Sequence, residues 1–383
     1  MNIAILGTGM MGRAIAFDLD KFSDFDKITL CDKDKLSIIS AEKFLKDTKV
    51  NFSSIDVGNK NRLKTLLNNY DILISAIPYR YNYELARIAI DTKTHFIDLG
   101  GNNTIVQKEL ELSDKARKCD VTVIPDCGLA PGLTSIITKD IVEKLDSVDY
   151  VKLRVGGLPT NPKPPLNYQI VFSPYGLINE YIEDAIVLKN HKIITKKSMT
   201  ELEKISFTKP YQNMEAFITS GGCSTLPYTF KNKIKNLDYK TIRYPGHCEK
   251  FKLLLDLGLA DTNKIKLISS SVSPRDFLVK ILFNNLPQNQ KDVVLMKCIG
   301  KGLKDNKSIK LEYTMIDYFD SKNKMTSMMR TTAYPVSITA QMISNELIRK
   351  HGAFCSEHVI PCKEFLNELK KRDIIIKERK ICE

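Results

Sequence analysis

Gly7-Thr8-Gly9-Met10-Met11-Gly12 is the stretch whose reading decides the fold. It follows an apolar run, Ile3-Ala4-Ile5-Leu6, and opens a helically patterned segment, Arg13 to Leu19. Strand, glycine turn and helix start in this order are the arrangement that binds a dinucleotide. Gly7 permits the tight turn, Gly9 lets the backbone approach a pyrophosphate, and Gly12 lets the helix pack on its strand. The first helical residues, Met10 and Met11, offer free N–H groups and the positive end of the helix dipole to phosphates. A second strand, Lys27 to Cys31, ends at Asp32, twenty positions after Gly12. There an acidic side chain accepts hydrogen bonds from an adenosine ribose, so the expected cofactor is NAD. A 2′-phosphate would be repelled by Asp32, which makes NADP the lesser expectation, although Lys33 and Lys35 follow directly.

Working outward, the first 128 residues alternate strand and helix. Strands are expected at Asn2–Leu6, Lys27–Cys31, Val50–Ile55, Ile72–Ile77, His95–Leu99 and Val121–Pro125, with helices such as Asn61–Asn69, Tyr83–Thr92 and Ile105–Lys118 between them. Apolar strands separated by helices mean a parallel sheet covered on both faces, with ligands at the carboxyl ends of its strands. Ser75, Ala76, Ile77, Pro78 and Tyr79 end one such strand and are expected to flank the nicotinamide ribose. Pro125-Asp126-Cys127-Gly128 ends another, before a helix opened by Pro131.

Beyond Lys144 the character changes. Tyr150–Gly157 reads as a strand, followed by Asn161-Pro162-Lys163-Pro164-Pro165, a stiff loop. Strands are expected at Tyr168–Phe172, Ala185–Thr195, Glu215–Thr219, Tyr239–Arg243, Val293–Gly300 and Lys310–Asp317. Long connections between them indicate a mixed α+β domain. Pro335–Lys350 is an amphipathic helix candidate, Lys363–Lys371 another, and Asp373–Lys377 a short strand. The fold class is α/β: a dinucleotide-binding domain (1–130 and 334–383) with an inserted mixed α+β substrate and oligomerisation domain (131–333).

The chain has 383 residues, more than one core comfortably serves. Its 43% hydrophobic and 27% charged content is that of a soluble globular protein. No apolar run is long enough to span a bilayer, the N-terminus lacks a basic leader, and no membrane association is expected. The net charge of +13 comes from lysines spread along the chain, without a zinc-finger or RNA-recognition signature, so no nucleic-acid partner is expected. The nine cysteines form no CxxC pair and read as reduced thiols of a cytoplasmic protein. Cys127, His247 and Cys248 lack the paired spacing of a zinc site, and no metal is expected.

The residues in these segments resemble the saccharopine dehydrogenase-like oxidoreductases, and within them the lysine 6-dehydrogenase group. The resemblance is carried by Gly7–Gly12, by Pro125–Gly132, by Gly156-Gly157-Leu158-Pro159 through Pro165-Leu166-Asn167-Tyr168, by Lys240-Thr241-Ile242-Arg243-Tyr244-Pro245-Gly246-His247-Cys248-Glu249-Lys250, and by Thr331–Pro335. The glycine motif is widely shared; the Arg-Tyr-Pro-Gly-His and Asn-Pro-Lys-Pro-Pro segments are more specific. The resemblance implies a nicotinamide cofactor, an amino-acid substrate, oxidation at a carbon bearing an amine, and a homodimer or higher homo-oligomer.

Such chemistry needs a neutral amine and a clamp for the substrate carboxylate. Arg243, at a strand end, is the first clamp candidate, with Arg154 and Glu249 as further substrate-binding candidates; pairing of Arg243 with Glu249 is the competing reading. His247 opens a helix with Glu249 in its first turn and is the first catalytic candidate, or else a cap. Tyr79 and Cys127 are further catalytic candidates, Cys127 as a nicotinamide-lining group or an inert buried thiol. The leading expectation is NAD-dependent oxidation of L-lysine at its ε-carbon, giving a semialdehyde that cyclises. A saccharopine or carboxynorspermidine dehydrogenase is the alternative, needing a larger pocket with two carboxylate clamps. A nucleotide-binding sensor without turnover is the remote one.

Overall fold

A computed structural model of the chain describes residues 1–288 and 290–382. The fold is α/β, a Rossmann-like parallel sheet followed by a second, mixed sheet. These form two compact units: Met1–Asp140 with Met329–Ile374, and Ile141–Met328 with the chain from Ile375 on.

In the first unit seven strands pair in parallel. Their order is Gly352–Ala353, Thr122–Ile124, His95–Asp98, Ile72–Ser75, Asn2–Leu6, Lys27–Asp32, Asn51–Ser54. The central strands are buried throughout because helices cover both faces, which is why they read as apolar runs. The glycine turn is forced by close approach. A Cβ on Gly12 would lie 1.7 Å from the Gly7 carbonyl oxygen, and one on Gly7, at φ +103°, would lie 2.6 Å from that of Ala76.

The C-terminal helices of this unit are held by a buried ion pair. Arg372 Nε donates to both oxygens of Asp18, at 2.8 and 2.9 Å, and Ser337 Oγ adds a 2.6 Å bond to Asp18 Oδ2. Burial pushes the Asp18 carboxyl up to about 6, and the Arg372 charge opposes that rise.

Three expectations are corrected here. The helix expected from Pro335 begins at Ser327 and runs through Pro335 to Ser344. Its start is made by a distant carboxylate: Ser327 N and Met328 N donate to Asp292 at 2.6 and 2.9 Å. The strand expected at Asp373–Lys377, and the assignment of the whole tail to the first unit, also change. Asp373 takes φ +59° after the helix Cys362–Lys371, and the strand proper is Lys377–Cys382, antiparallel to Lys307–Tyr318 in the second sheet. Its run Lys377-Glu378-Arg379-Lys380 suits a solvated sheet edge and not a buried parallel strand.

The second unit is built on nine strands. Its main path runs Glu203–Ile205, Met214–Ile218, Ile234–Arg243, Ser147–Pro159, Asp292–Lys304, Lys307–Tyr318, Lys377–Cys382. Ile234–Arg243 and Ser147–Pro159 pair in parallel; the other named pairings are antiparallel. One face carries a core of Tyr168, Leu177, Ile178, Tyr181, Phe217 and Phe251, and the helices Pro174–Ile182, His247–Asp256 and Pro274–Asn285 pack through it. A separate cluster including Leu158, Ala216, Ile242 and Leu295 packs with Phe207 and Tyr211.

Two more expectations change. Ala185–Thr195 is a hairpin of Ala185–Lys189 and Lys192–Lys196, turned by Asn190 and His191 at φ 50° and 62°. Tyr168–Phe172 is not a strand but a packed loop: Ile170 bridges Gln288, and Tyr168 and Val171 are buried in the same apolar cluster as Phe217.

Candidate active site

The first unit presents a dinucleotide cradle. Gly9, the N-cap of helix Met10–Phe22, has extended backbone (φ −67°, ψ −172°), and a Cβ added to it would meet nothing within 4 Å. The protein's own packing therefore does not require glycine there. Open space over a helix N-terminus fits a pyrophosphate, and Met10 and Met11 are the partly exposed first helical residues. Asp32 sits beside it. Its Oδ2 accepts from Thr8 N and Thr8 Oγ1, both at 2.9 Å, and its Oδ1 from Asp34 N at 3.0 Å. Burial works to raise its pKa, but the bonds from Thr8, Asp34 and Lys33 outweigh it and hold the carboxyl below its ordinary value. Asp32 is an ionised carboxylate at the end of strand Lys27–Asp32, each of its oxygens accepting from a neighbouring backbone N–H.

The strand end at 75–79 is more divided than expected. Ser75 is buried, and its hydroxyl donates to Asn82 Oδ1 at 2.7 Å, so it anchors the following helix and presents nothing. Ala76 N donates to Leu6 O, while Ala76, Ile77, Pro78 and Tyr79 keep exposed surface. The Tyr79 ring lies against Gly101, where a Cβ would come within 3.1 Å.

Cys127 does not serve as a reactive thiol. It is buried with its Sγ against the Ile124 and Pro125 carbonyls, and burial followed by the charges of Asp98 and Asp126 pushes its pKa well above the ordinary range. Those neighbours were not anticipated. Asp98 Oδ1 accepts from Gly100 N at 2.5 Å and Asp126 N at 3.3 Å. Asp98 Oδ2 and both Glu109 oxygens are buried with no donor among the described residues. Burial and the Asp98 charge push Glu109 up to about 12, so it keeps its proton. By accepting from Gly100 N, Asp98 braces the Asp98–Gly100 turn at the carboxyl end of a sheet strand.

The second unit holds the candidate substrate pocket. Gly246 takes φ +82° in the turn before helix His247–Asp256. That helix start is already capped: Gly246 N and Cys248 N donate to the two oxygens of Glu215, at 2.8 and 2.7 Å. His247 therefore is not a cap; it points inward. Its Nδ1 lies 2.9 Å from the Leu166 carbonyl, which only accepts, so Nδ1 carries the proton. Nε2 then accepts from the Tyr181 hydroxyl at 3.0 Å, and that oxygen accepts from Arg243 Nε at 2.8 Å. Burial, then the Arg243 charge, push His247 down to about 3. A neutral histidine with both nitrogens engaged is not the base expected of it; it orients Tyr181. Glu249 lies exposed on the same helix and forms no pair with Arg243.

Arg243 is buried in an aromatic box. Nη1 donates to Ile242 O at 2.9 Å, and the guanidinium stands 4.8 Å from the Tyr168 ring centre and 5.8 Å from that of Tyr181. Among the described residues no carboxylate comes within the 4.0 Å of an ion pair with it. Burial alone would lower its pKa, but Tyr181, Tyr168 and Glu180 more than offset this and it stays charged. Cation–π contact stabilises such a cation without supplying an anion.

Arg154 is on the other side of the sheet. It pairs in register with Lys240, three residues from Arg243, and side chains an odd number apart on a strand point to opposite faces. Its Nε donates to Glu203 Oε1 at 2.5 Å and its Nη1 to Asp238 Oδ1 at 2.7 Å, while Lys240 Nζ holds Glu203 Oε2 at 2.9 Å. The expected role as a substrate clamp is corrected: its charge is already spent on structural partners.

Glu180, Tyr181 and Tyr168 were missed in the sequence reading. Nothing local marks them; they converge on Arg243 through tertiary packing. Among the described residues no group of three or more His, Cys, Asp or Glu is arranged to hold a metal, and no helix is long and apolar enough to cross a membrane.

Comparison with known proteins gives one consistent result. Residues 3–124 match the model of the saccharopine dehydrogenase NADP binding domain, and residues 128–375 that of the saccharopine dehydrogenase C-terminal domain. The Saccharomyces cerevisiae saccharopine dehydrogenase [NADP(+), L-glutamate-forming] is 26% identical over 300 residues, 73% of this chain and 63% of that protein. The rat mitochondrial alpha-aminoadipic semialdehyde synthase is 25% identical over 272 residues, 66% of this chain and 28% of that protein. The chain thus spans less than two thirds of the length of these curated relatives. Two solved structures share the fold: apo yeast saccharopine dehydrogenase (L-Glu forming), with a TM-score of 0.82 at 20% identity over 99% of both chains, and the Legionella pneumophila homospermidine synthase in complex with NAD, with 0.66 at 15% identity over 99% of this chain and 91% of that one.

Proposed function

This chain belongs to the saccharopine dehydrogenase family, and we propose that it is a nicotinamide-dependent amino-acid oxidoreductase that oxidises L-lysine at its ε-carbon. The observation that carries the reading is Arg243: a buried, charged guanidinium boxed by Tyr168 and Tyr181 with no carboxylate of its own. Such a group fits a substrate carboxylate, whose bidentate geometry matches its fork. With Arg154 committed to Glu203 and Asp238 on the opposite face, the pocket has one strong clamp at this position, which suits an acid with one carboxylate.

Gly9, Met10, Met11 and Asp32 would hold the nucleotide, and its nicotinamide would supply the acceptor for a hydride leaving the carbon that bears the amine, with the nitrogen lone pair available for the C=N bond. The chain's residues do the rest. Arg243 holds the carboxylate, His247 and Tyr181 fix Arg243, and the apolar surround of Phe217 and Phe251 lowers the local dielectric, which favours the neutral amine. NAD is the proposed nucleotide, because ionised Asp32 beside Thr8 disfavours a 2′-phosphate. NADP stands in the matched domain's description and in the yeast relative's name, and both nucleotides belong in the test.

The second reading is a saccharopine dehydrogenase, favoured by those relatives' names. Purified protein given NAD or NADP with L-lysine, and separately with saccharopine, separates the two by the rise of reduced-nicotinamide absorbance. Turnover of lysine supports the proposal. Turnover of saccharopine alone replaces it with the second reading, and nucleotide binding without either turnover points to a sensor.

A further inference from the structure

We propose that Thr8, held in place by Arg13, is a positioning residue that sets the nucleotide preference of the first unit by fixing how the Asp32 carboxylate is presented. This rests on the reading of that unit as an NAD site and names two residues through which the discrimination acts.

Three segments meet at the carboxylate. Thr8 is the middle residue of Gly7-Thr8-Gly9, a place where the turn itself asks only for backbone. Its side chain is buried, at 0% exposure, so its hydroxyl has no water to bond. The hydroxyl donates instead to Asp32 Oδ2 at 2.9 Å, and Thr8 N donates to the same oxygen at 2.9 Å. From the other side Asp34 N takes Oδ1 at 3.0 Å, and Asp34 in turn caps the helix Lys35–Phe44 through Leu36 N and Ser37 N. A carboxylate offers about four acceptor sites, two on each oxygen. Thr8 fills both on Oδ2, so a ribose hydroxyl has Oδ1 to address.

Thr8 is itself fixed. Arg13, early in helix Met10–Phe22, turns its side chain back so that Nε donates to Thr8 O at 2.7 Å. The peptide groups on both sides of Thr8 are thus pinned, the N–H by Asp32 and the C=O by Arg13. The branched Cβ of threonine restricts its rotamer, which keeps the hydroxyl aimed. Bonds of this kind favour the charged form of the carboxylate and hold its orientation. A fixed anion opposes a 2′-phosphate, whereas one free to swing aside or take up a proton opposes it less.

The test is nucleotide binding, which stands apart from turnover of any amino acid. NAD and NADP are titrated by calorimetry into the parent, Thr8→Val, Thr8→Ser, Arg13→Met, Asp32→Ala and the Thr8→Val/Asp32→Ala double variant, with thermal midpoints confirming that each folds. The parent is expected to bind NAD more tightly than NADP. Thr8→Val keeps the volume and removes the hydroxyl; it is expected to narrow the NAD-to-NADP affinity ratio about 3- to 10-fold, Thr8→Ser to return it to within about twofold of the parent, and Arg13→Met to narrow it about 2- to 3-fold. In the Asp32→Ala background Thr8→Val should leave the ratio unchanged, because residues that act through one contact are not additive. A merely structural threonine would weaken both nucleotides in either background. A ratio that Thr8→Val leaves unchanged, or narrows equally with and without Asp32, overturns the proposal, and an Arg13→Met variant that weakens NAD and NADP alike overturns the part given to Arg13. A parent that prefers NADP fails the NAD reading and this proposal together; a parent that prefers NAD with a ratio untouched by Thr8→Val fails this proposal alone. Should Thr8→Val fail to fold, Thr8→Ala takes its place, with the same outcomes deciding.

Discussion

Arg154 and Arg243 are both buried arginines on neighbouring strands of one sheet, and they could hardly differ more in company. Arg154 meets Glu203 at 2.5 Å and Asp238 at 2.7 Å. Arg243 meets a tyrosine hydroxyl, a backbone carbonyl and two aromatic faces. A fold that only needed a buried cation would neutralise it, because an unpaired buried charge is expensive. The Arg154 face does so. The Arg243 face leaves the anion to be supplied, and a pocket that tolerates this cost is one whose ligand completes it.

The largest expected effect breaks the structural side of that comparison. Arg154→Met strips Glu203 and Asp238 of a buried partner and is expected to cost about 3–5 kcal/mol of stability. Arg243→Met breaks no ion pair among the described residues and should cost less than half as much. Urea midpoints of the two variants decide this, and equal losses would erase the distinction.

A second effect concerns the histidine behind Arg243. Folded His247 titrates at about 3 and unfolded histidine near 6.5. Between these values the unfolded chain takes up a proton that the folded chain refuses, so stability is full above about pH 6.5 and is lost as pH falls. At about 1.4 kcal/mol per unit, the parent should lose roughly 2–3 kcal/mol more than His247→Asn between pH 6.5 and 4.5. Because the Arg243 charge contributes to the depression, the same slope should be shallower in Arg243→Met. Denaturation midpoints at the two pH values test both statements.

The smallest effect lies in the first unit. Asp32→Ala is expected to narrow the ratio of NAD to NADP efficiency about tenfold, roughly 1.4 kcal/mol, with exposed Lys33 and Lys35 free to meet a 2′-phosphate. A parent enzyme that already prefers NADP contradicts the ionised Asp32 as discriminator.

The two units were not equally legible. Parallel strands buried on both faces write themselves as apolar runs, and the Gly7–Gly12 turn carries its reason in steric contacts only a few residues apart. The family resemblance rested on such local segments, and the matched domain models agree with it. The second unit turns on register and on distant partners. Arg154 and Arg243 are both strand arginines in sequence; only the pairing of Arg154 with Lys240 assigns them to opposite faces, and a slip of one residue would exchange them. The Glu215 cap on the His247 helix and the Asp292 cap on the Ser327 helix join residues 31 to 36 positions apart. Without those caps in view, His247 reads as a helix-start residue and Pro335 as a helix beginning. The Asn190-His191 turn escaped notice because neither residue is glycine, although both adopt positive φ.

The central claim is that Arg243 clamps the carboxylate of an amino acid, and one kinetic cycle tests it most directly. Arg243→Lys replaces a planar fork with a point charge. With L-lysine, kcat/KM is expected to fall roughly 10- to 150-fold, the worth of a charge-assisted pair at about 1.5–3 kcal/mol. Nucleotide affinity should stay unchanged. Cadaverine, which has the amines without the carboxylate, should be a poor substrate for the parent and lose little further in the variant. Equal losses with lysine and cadaverine, or a collapse of nucleotide binding, would contradict the clamp and make Arg243 a structural cation like Arg154.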